Sequence, residues 1–517
     1  VTETTIDKTT FKGIACGTRH LTHEEFQHDV KRAASAFSNL GIGAGECVGI
    51  FMRNDIHFMT ANHAANYVGA YAVPINWHLA GEELTYILND SGAQVLVIHA
   101  DLFRKIRDAI PAGVRCLVVA THEDIRKPFG VPVDQCSVPE GETDWQQLLD
   151  SEQPIQNPPV QGPSSMLYTS GTTGHPKGVR RIPLDAEGAA SIRDFRTRVY
   201  GCGPGARCAV PGPIYHSAPN GYAMQASKIS DLLLIIPKFD SEEFLALIDE
   251  YRLTAAIMVP IMFIRLLKLP EDVRNKFDLS SLEFIIHAAA PCPADVKRRM
   301  IEWFGPVINE FYGSTESSAV SACNSEQALA KPGSVGKAVP EADIRILDEN
   351  GNILPPGQIG EIYSRFPLMD FTYNRKPEAR AAMEKDGYVT SGDMGYLDED
   401  GFLFIADRVK DMVISGGVNI YPAEIEAVLH NYPGLKDCVI FGIPDDEFGE
   451  SLMAVVEAQD NVELDTNHIK SYLREHLAGF KVPRQIEIGM DLPREDSGKI
   501  FKRKLRDKYW QQAGRAI

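Results

Sequence analysis

No two of the nine cysteines fall into a C-x-x-C spacing; they lie scattered at 16, 47, 116, 136, 202, 208, 292, 323 and 438. That pattern excludes a zinc ribbon and offers no disulfide framework, so a reducing, cytoplasmic setting is expected. Positive charge is also short. Lys+Arg 52 against Asp+Glu 70 leaves a net charge of −18, which argues against unaided binding to nucleic acid or to an anionic membrane surface. Long hydrophobic runs are missing too. The longest stretch without a charged residue, "IHFMTANHAANYVGAYAVPINWHLAG", carries Asn62, His63, Asn66, Pro74 and Asn76. It is too polar to span a bilayer and reads as a buried helix, a stop at Gly69 and a strand, so no integral membrane association is expected. Val1 to Lys12 lacks a charged-then-apolar leader pattern, and no internal repeat or low-complexity tract is visible.

What is present is a globular composition, 44% hydrophobic and 24% charged, on a chain of 517 residues. One hydrophobic core does not normally serve that length, so at least two domains are expected. Apolar runs such as "CVGIFM" at 47, "AQVLVIHA" at 93, "RCLVVATH" at 115, "DLLLIIPK" at 231, "AAIMVP" at 255 and "EFIIHAAAP" at 283 alternate with helical patterns. One of these, "LTHEEFQHDVKRAASAFSNLG", opens on a capping box at Thr22 and Glu25. Strand–helix alternation predicts an α/β fold of layered, mainly parallel sheets, with ligands held on loops at the carboxyl ends of the strands. From about 333 to 406 the texture becomes turn-rich β, a small subdomain. After a boundary near 407–411 a compact α+β unit begins, in which Ile469, Leu473 and Leu477 share a helix face. The expected division is a large domain over 1–408 and a small one over 409–517.

Four stretches carry candidate chemistry. "YTSGTTGHPKGV" at 168–179 gathers glycines, hydroxyls and a lysine, and reads either as a polar turn or as an anion cradle of converging N–H groups. It is not a Walker loop, because Pro176 precedes Lys177 and Gly178 follows it. "NEFYGSTESS" at 309–318 offers Tyr312 to stack on a base and Glu316 as a hard oxygen ligand for Mg²⁺, or else a helix cap at Ser314 or Thr315. In "TSGDMGYLDEDGFLFIADRVKD", Asp393 in a tight glycine-flanked turn can accept two ribose hydroxyls while Arg408 donates, or the two form a surface pair. "LPREDSGKIFKRKLR" places Lys499 on a loop after Gly498, within reach of an anionic centre or simply exposed.

In this order and spacing the four stretches resemble the adenylate-forming (AMP-binding) superfamily, specifically the acyl-CoA synthetases, over essentially the whole chain. The resemblance implies ATP, Mg²⁺ and coenzyme A as ligands. Thr169, Ser170, Gly171, Thr172, Thr173, Gly174 and Lys177 then form the phosphate loop, and Ala289, Ala290, Pro291, Tyr312 and Gly313 border the nucleotide. Thr315 and Glu316 serve the phosphates and the metal, and Asp393 and Arg408 the ribose. Lys499 bridges the substrate carboxylate and the α-phosphate. Lys410 is the hinge about which the small domain swings between two half-reactions. In the second state "SGGVNIYPAEIE" faces the pantetheine arm, with Ser415, Gly416, Gly417 and Tyr421 on the CoA side.

The acid pocket implied by the same resemblance comprises His216, Gly221, Tyr222, Ala288, Ala289, Ala290, Gly313 and Val320. His216 stands where relatives carry a gate, or is a packed loop histidine. No aspartate stands near "YHSA" to pair an amino group, so the expected substrate is a neutral, hydrophobic carboxylic acid of medium or long chain, or an aryl or polycyclic one. Each methylene buried is worth about 0.8 kcal/mol. The acceptor is CoA or a carrier protein's phosphopantetheine, and a degenerate nucleotide-binding protein is the non-enzymatic alternative. A homo-oligomer is possible. Two departures from the family pattern stand out. "RRIPLDAEG" follows "PKGV" where many relatives continue with Thr-His, and "QASKISDLLLIIPKFD" lacks a glycine before its strand. Arg180 and Arg181 read there as an exposed basic pair, or else as groups that tune the approach of phosphate or carboxylate.

Overall fold

In the computed structural model the described residues are 6–512, apart from 80, 158, 160–161, 170–175, 409–410, 416–417, 446–447, 490 and 495–499. Ser170 to Gly174, Lys410, Gly416, Gly417 and Lys499 therefore lie outside them, as does the side chain of Arg408. The chain divides into two compact units. The first comprises Val1–Ala289, Arg299–Ala319 and Phe366–Glu384, and the second Ala290–Arg298, Val320–Arg365 and Lys385–Ile517.

The first unit is layered α/β. A five-stranded sheet runs Tyr71–Pro74, Cys47–Phe51, Val95–His99, Arg115–Val119, Thr143–Asp144. Every adjacent pair in it is parallel, and its central strands are buried on both faces, as continuous Val/Ile/Leu runs require. A further set of parallel strands neighbours one another in the order Leu232–Ile235, Arg207–Val210, Ala255–Met258, Phe284–His287, Ile308–Ser314. The hairpin Gly13–Cys16 and Arg19–Thr22 continues it beyond Leu232–Ile235. Helix His23–Asn39 starts at the expected capping box: Thr22 Oγ1 accepts from the Glu25 N–H at 3.2 Å, and Glu25 Oε2 accepts from the Thr22 N–H at 2.8 Å. It buries Phe26, Val30, Ala33, Ala34 and Phe37, one stripe at helical spacing. The uncharged stretch after residue 55 forms helix Ile56–Tyr67, a left-handed Gly69 and strand Tyr71–Pro74.

A buried polar network ties the first unit together. Arg53 makes a two-pronged pair with Asp101 at 3.0 and 2.9 Å, and Thr121 donates to the same carboxylate at 2.8 Å. Asp55 accepts from Arg19 at 2.8 Å, from the hairpin, and from His99 Nε2 at 3.0 Å. His99 Nδ1 accepts the Arg53 backbone N–H at 3.3 Å. A backbone N–H can only donate, so the imidazole proton sits on Nε2. Burial works to raise the Asp55 carboxyl's pKa, but Arg19 and the His99 hydrogen bond outweigh it and hold the pKa far below the usual range.

In the second unit, antiparallel strands follow the order Asp343–Leu347, Gly360–Arg365, Tyr388–Leu397, Phe402–Arg408, Ser334–Ala338 and Ser318–Cys323. This is the turn-rich β texture anticipated from 333. Another sheet runs Val418–Ile420, Val413–Ser415, Gly449–Ala458, Leu435–Asp445, with Gln485–Gly489 beside Gly449–Ala458. Helix Thr466–His476 lays Ile469 and Leu473 on one face of that sheet, in a core with Ile425, Leu429, Ile440 and Val456. Among the described residues no helix is long and apolar enough to cross a membrane.

Candidate active site

The glycine-rich loop is described at its two ends, and both are strands. Leu167–Thr169 pairs antiparallel with Lys177–Arg181, Thr169 opposite Lys177, and Phe371–Tyr373 pairs with the other edge of Lys177–Arg181. The chain therefore leaves and re-enters one small sheet, and the loop's span is fixed by that register. Gly178 is required by packing: a Cβ there would stand 2.9 Å from the ring of Tyr168. Tyr168 is itself pinned by its hydroxyl, which donates to Asp90 at 2.6 Å.

Glu316 reaches this sheet from 147 residues away in sequence: Thr169 Oγ1 donates to Glu316 Oε1 at 3.4 Å. The Tyr373 hydroxyl donates to the same oxygen at 2.9 Å. Oε2 accepts no hydrogen bond among the described residues. The carboxylate is thus oriented through one oxygen, leaving the other as a hard ligand of the kind Mg²⁺ takes. Burial, and then the Glu316 charge, push the Tyr373 hydroxyl's pKa well up, so it stays a donor. Lys177 Nζ stands 5.1 Å from the centre of the Tyr373 ring.

The segment carrying Glu316 is a tight turn following strand Ile308–Ser314, not the helix cap that Ser314 or Thr315 also permitted. Ser314 Oγ accepts from the N–H groups of Glu316 and Ser317 at 3.1 and 3.0 Å. Ser317 Oγ accepts from the Ser314 N–H at 3.0 Å. Ser318 takes a left-handed φ of 64°. Gly313 is obligatory beneath the turn, since a Cβ would fall 1.7 Å from the Ser318 carbonyl oxygen. Tyr312, next to it, is half-buried.

Arg181 departs from the exposed pair expected of it. The pair splits: Arg180 is half-buried, whereas Arg181 is only 8% exposed. The cause is strand alternation, which puts Arg181 on the face of Val179, itself 1% exposed. Arg181 Nη2 donates to the Thr315 carbonyl at 2.5 Å. Burial lowers its pKa to about 10, with the nearby Glu316 charge working in the opposite direction. Motif reading leaves Arg181 between surface charge and a tuner of anion approach, and does not mark Tyr373. The period-two rule applied to "KGVRR" marks Arg181, while nothing in "DFTYNR" marks Tyr373.

On the acid side, His216 stands at the start of helix Ser217–Ile229, its side chain making no capping bond, on a loop held by buried Asn54. Asn54 Nδ2 donates to the carbonyls of Gly212 and Ile236 at 2.8 and 3.0 Å, and its Oδ1 accepts from the Ile214 N–H at 2.8 Å. Gly221 faces Tyr200, whose hydroxyl would lie 3.3 Å from an added Cβ. Tyr222 is fully buried, its ring 6.0 Å from that of Tyr200. Ala288 is buried, and Ala289 holds a φ of 74°, the left-handed region that side chains resist. Thr169, Lys177, His216, Gly221, Tyr222, Ala288, Ala289, Tyr312, Gly313, Thr315 and Glu316 all belong to the first unit.

Ala290, Pro291, Val320, Asp393, Arg408, Ser415 and Tyr421 belong to the second. Asp393 is not in a turn. It lies in strand Tyr388–Leu397 at a bulge, where the register against Gly360–Arg365 slips between Glu361 and Tyr363. Gly392, at φ 78°, allows the extra residues to be accommodated. Asp393 is 7% exposed, accepts from Ser391 Oγ at 3.0 Å, and faces Arg408 in the adjoining strand by Cα register. Val320 is 1% exposed. Ser415 ends strand Val413–Ser415, and Tyr421 precedes helix Pro422–Leu429.

The profile of the AMP-binding enzyme family matches residues 2–373, and that of the AMP-binding enzyme C-terminal domain matches 424–499. A fatty acid–[acyl-carrier-protein] ligase, ScoC, of Streptomyces coeruleorubidus is 30% identical, over 98% of this chain and 95% of its own. A feruloyl-CoA synthase of an Amycolatopsis species is 32% identical, over 95% and 94%. Among solved structures, ATP-bound MatB from Rhodopseudomonas palustris superposes with a TM-score of 0.80 at 27% identity, covering 98% of this chain and 97% of that one.

Proposed function

This chain belongs to the AMP-binding enzyme family, and from that premise we propose that it is an AMP-forming ligase joining a hydrophobic carboxylic acid to a thiol, with CoA as the acceptor. The observation that carries the reading is the meeting of Thr169, at the loop's entrance, with Glu316 and Tyr373, an oriented carboxylate at the end of the stretch we assign as the anion cradle. In the first half-reaction a carboxylate oxygen attacks the α-phosphorus of ATP. The acyl–O–P bond forms, the bond to the β-phosphate oxygen breaks, and pyrophosphate leaves. In the second, the CoA thiolate attacks the acyl carbon, the thioester forms and AMP departs.

Two anions approach each other in the first step, so fixed positive charge and N–H donors must take up the charge that grows on the phosphoryl oxygens. Lys177, the loop and Lys499 are assigned to that task. Glu316 would hold Mg²⁺, whose chemistry there would be Lewis-acid neutralisation of the phosphates. Tyr373 and Thr169 hold the Glu316 carboxylate still. Asp393 and Arg408 are assigned to the ribose, and Tyr312 with Gly313 to the adenine. The second step needs no dedicated base, because a thiol of pKa about 8.5 is already a few per cent ionised at neutral pH. Residues 409–517 are assigned to a small domain that swings about Lys410 and brings Ser415, Gly416, Gly417 and Tyr421 to the pantetheine.

The pocket assigned to the acid, with Gly221, Ala288 and Val320, favours medium or long fatty, aryl or polycyclic acids. Carrier-protein loading is the second reading, favoured by the similarity to ScoC. A panel of carboxylic acids assayed for AMP release, with CoA, with phosphopantetheinylated carrier protein and with neither, tests both. Failure to release AMP with every class of acid rejects the reading.

A further inference from the structure

Arg181 poses a physical problem that the assignments above leave open. The residue is only 8% exposed. No carboxylate lies within ion-pair distance of it among the described residues, and its one side-chain hydrogen bond is Nη2 to the Thr315 carbonyl. Nη1 is buried with no hydrogen-bond partner among the described residues. The Phe371 ring, 5.8 Å from the guanidinium carbon, is a weak substitute for an anion. A buried cation that has lost its water and gained only part of a hydrogen-bond set costs several kcal/mol. A fold retains such a group readily where a ligand completes it.

The guanidinium is a rigid planar fork, so Nη1 lies beside the Nη2 that grips Thr315. Thr315 immediately precedes Glu316, and the backbone of Arg181 is fixed in turn, its carbonyl accepting from the Tyr71 hydroxyl at 2.9 Å. The donor is therefore held beside the residue preceding Glu316, close enough to feel the charge of the carboxylate assigned to the metal.

We propose that Arg181 is a binding residue whose Nη1 donates to an oxyanion brought by the reactants, either a phosphate oxygen of ATP or a carboxylate of the acid. The two sources share one chemistry, a charge-assisted N–H···O⁻ bond in a dry site. If the acid supplies the oxyanion, the substrate carries a second carboxylate besides the reacting one, and the pocket is not wholly apolar. The assignment rests on the ligase reading, and Arg181 lies in the "RRIP" stretch where this chain leaves the common pattern.

The test compares wild type with Arg181→Met, which removes charge and donors, and Arg181→Gln, which keeps a donor for Thr315 but removes the charge. Equilibrium dialysis of Mg·ATP without acid needs no turnover. A loss of ATP affinity of about 10- to 100-fold in both variants, the worth of one charged hydrogen bond, assigns Nη1 to phosphate. Unchanged ATP affinity, with a similar fall in kcat/KM for dicarboxylic over monocarboxylic acids of equal length, assigns it to the acid. Folded variants that match wild type in both measurements overturn the proposal. If neither variant folds, wild-type melting temperatures decide: no rise with inorganic pyrophosphate or with a dicarboxylate overturns it. Wild type that binds ATP but releases no AMP with any acid refutes the ligase reading and leaves the ATP measurement valid.

Discussion

At the scale of single residues, Gly313 and Arg181 show opposite relations between sequence and site. A glycine between an aromatic and a run of hydroxyls invites a backbone explanation, and the 1.7 Å that would separate an added Cβ from the Ser318 carbonyl oxygen supplies it. Gly313→Ala is expected to displace the turn that presents Glu316. A loss of about 1–3 kcal/mol in stability, with weaker Mg·ATP binding, is the expected result; unchanged melting and ATP affinity would show that the turn yields freely. Arg181 is ambiguous in the sequence because two adjacent arginines read either as surface charge or as groups that meet an anion, and only the alternation of a strand sends one inward. Tyr373 is hidden for another reason. It meets Glu316 across 57 residues, and no local pattern encodes a contact of that separation.

At the scale of elements, the helix Ile56–Tyr67 carries a half-buried histidine, His57, and a buried one, His63. His57 Nδ1 accepts from the Trp145 indole N–H at 3.2 Å, and His63 Nε2 meets Ser227 Oγ at 2.8 Å. Burial lowers the pKa of both, that of His63 strongly. Each has a folded pKa below its unfolded value of about 6.5, so the unfolded chain takes up protons first as pH falls. Their contribution is complete above a pH of about 6.5 and is lost as pH drops through the folded values. Melting temperature is expected to fall between about pH 7 and 5, and less steeply in His63→Gln; a flat profile in wild type would contradict it. The loop before helix Ser217–Ile229 belongs to the same scale. Asn54→Ala strands three backbone groups at once, so a loss of about 3 kcal/mol is expected, together with a raised KM for the acid. An unaltered KM in a destabilised protein would confine Asn54 to a structural role. The strands and the capping box are legible in the sequence because periodicity and caps are local. The bulge at Asp393 is not, because it is a misfit between two strands and belongs to neither alone.

At the scale of the whole molecule, the layered α/β unit and the second unit's β texture follow from alternating apolar runs and paired turns, and the family from the order of four motifs. The acid cannot be read that way, since pocket shape depends on packing among distant segments such as Tyr200, Gly221 and Ala288. Lys499 is the residue on which the two half-reactions should part. Lys499→Ala is expected to slow adenylation about 10²- to 10³-fold, the worth of one oriented donor at the transition state. Thioester formation from supplied acyl-AMP should suffer far less. Equal losses in both would reject the assignment.

Each of these variants raises the same practical question, whether a silent enzyme has lost chemistry or shape, and the network around His99 can answer it. The imidazole N–H donated to Asp55 is enclosed on every side, His99 and Asp55 both being 0% exposed. Such a proton exchanges slowly with water and is shifted far downfield in a proton spectrum. Its resonance in a Gly313, Arg181 or Lys499 variant would certify an intact first unit before any substrate is added.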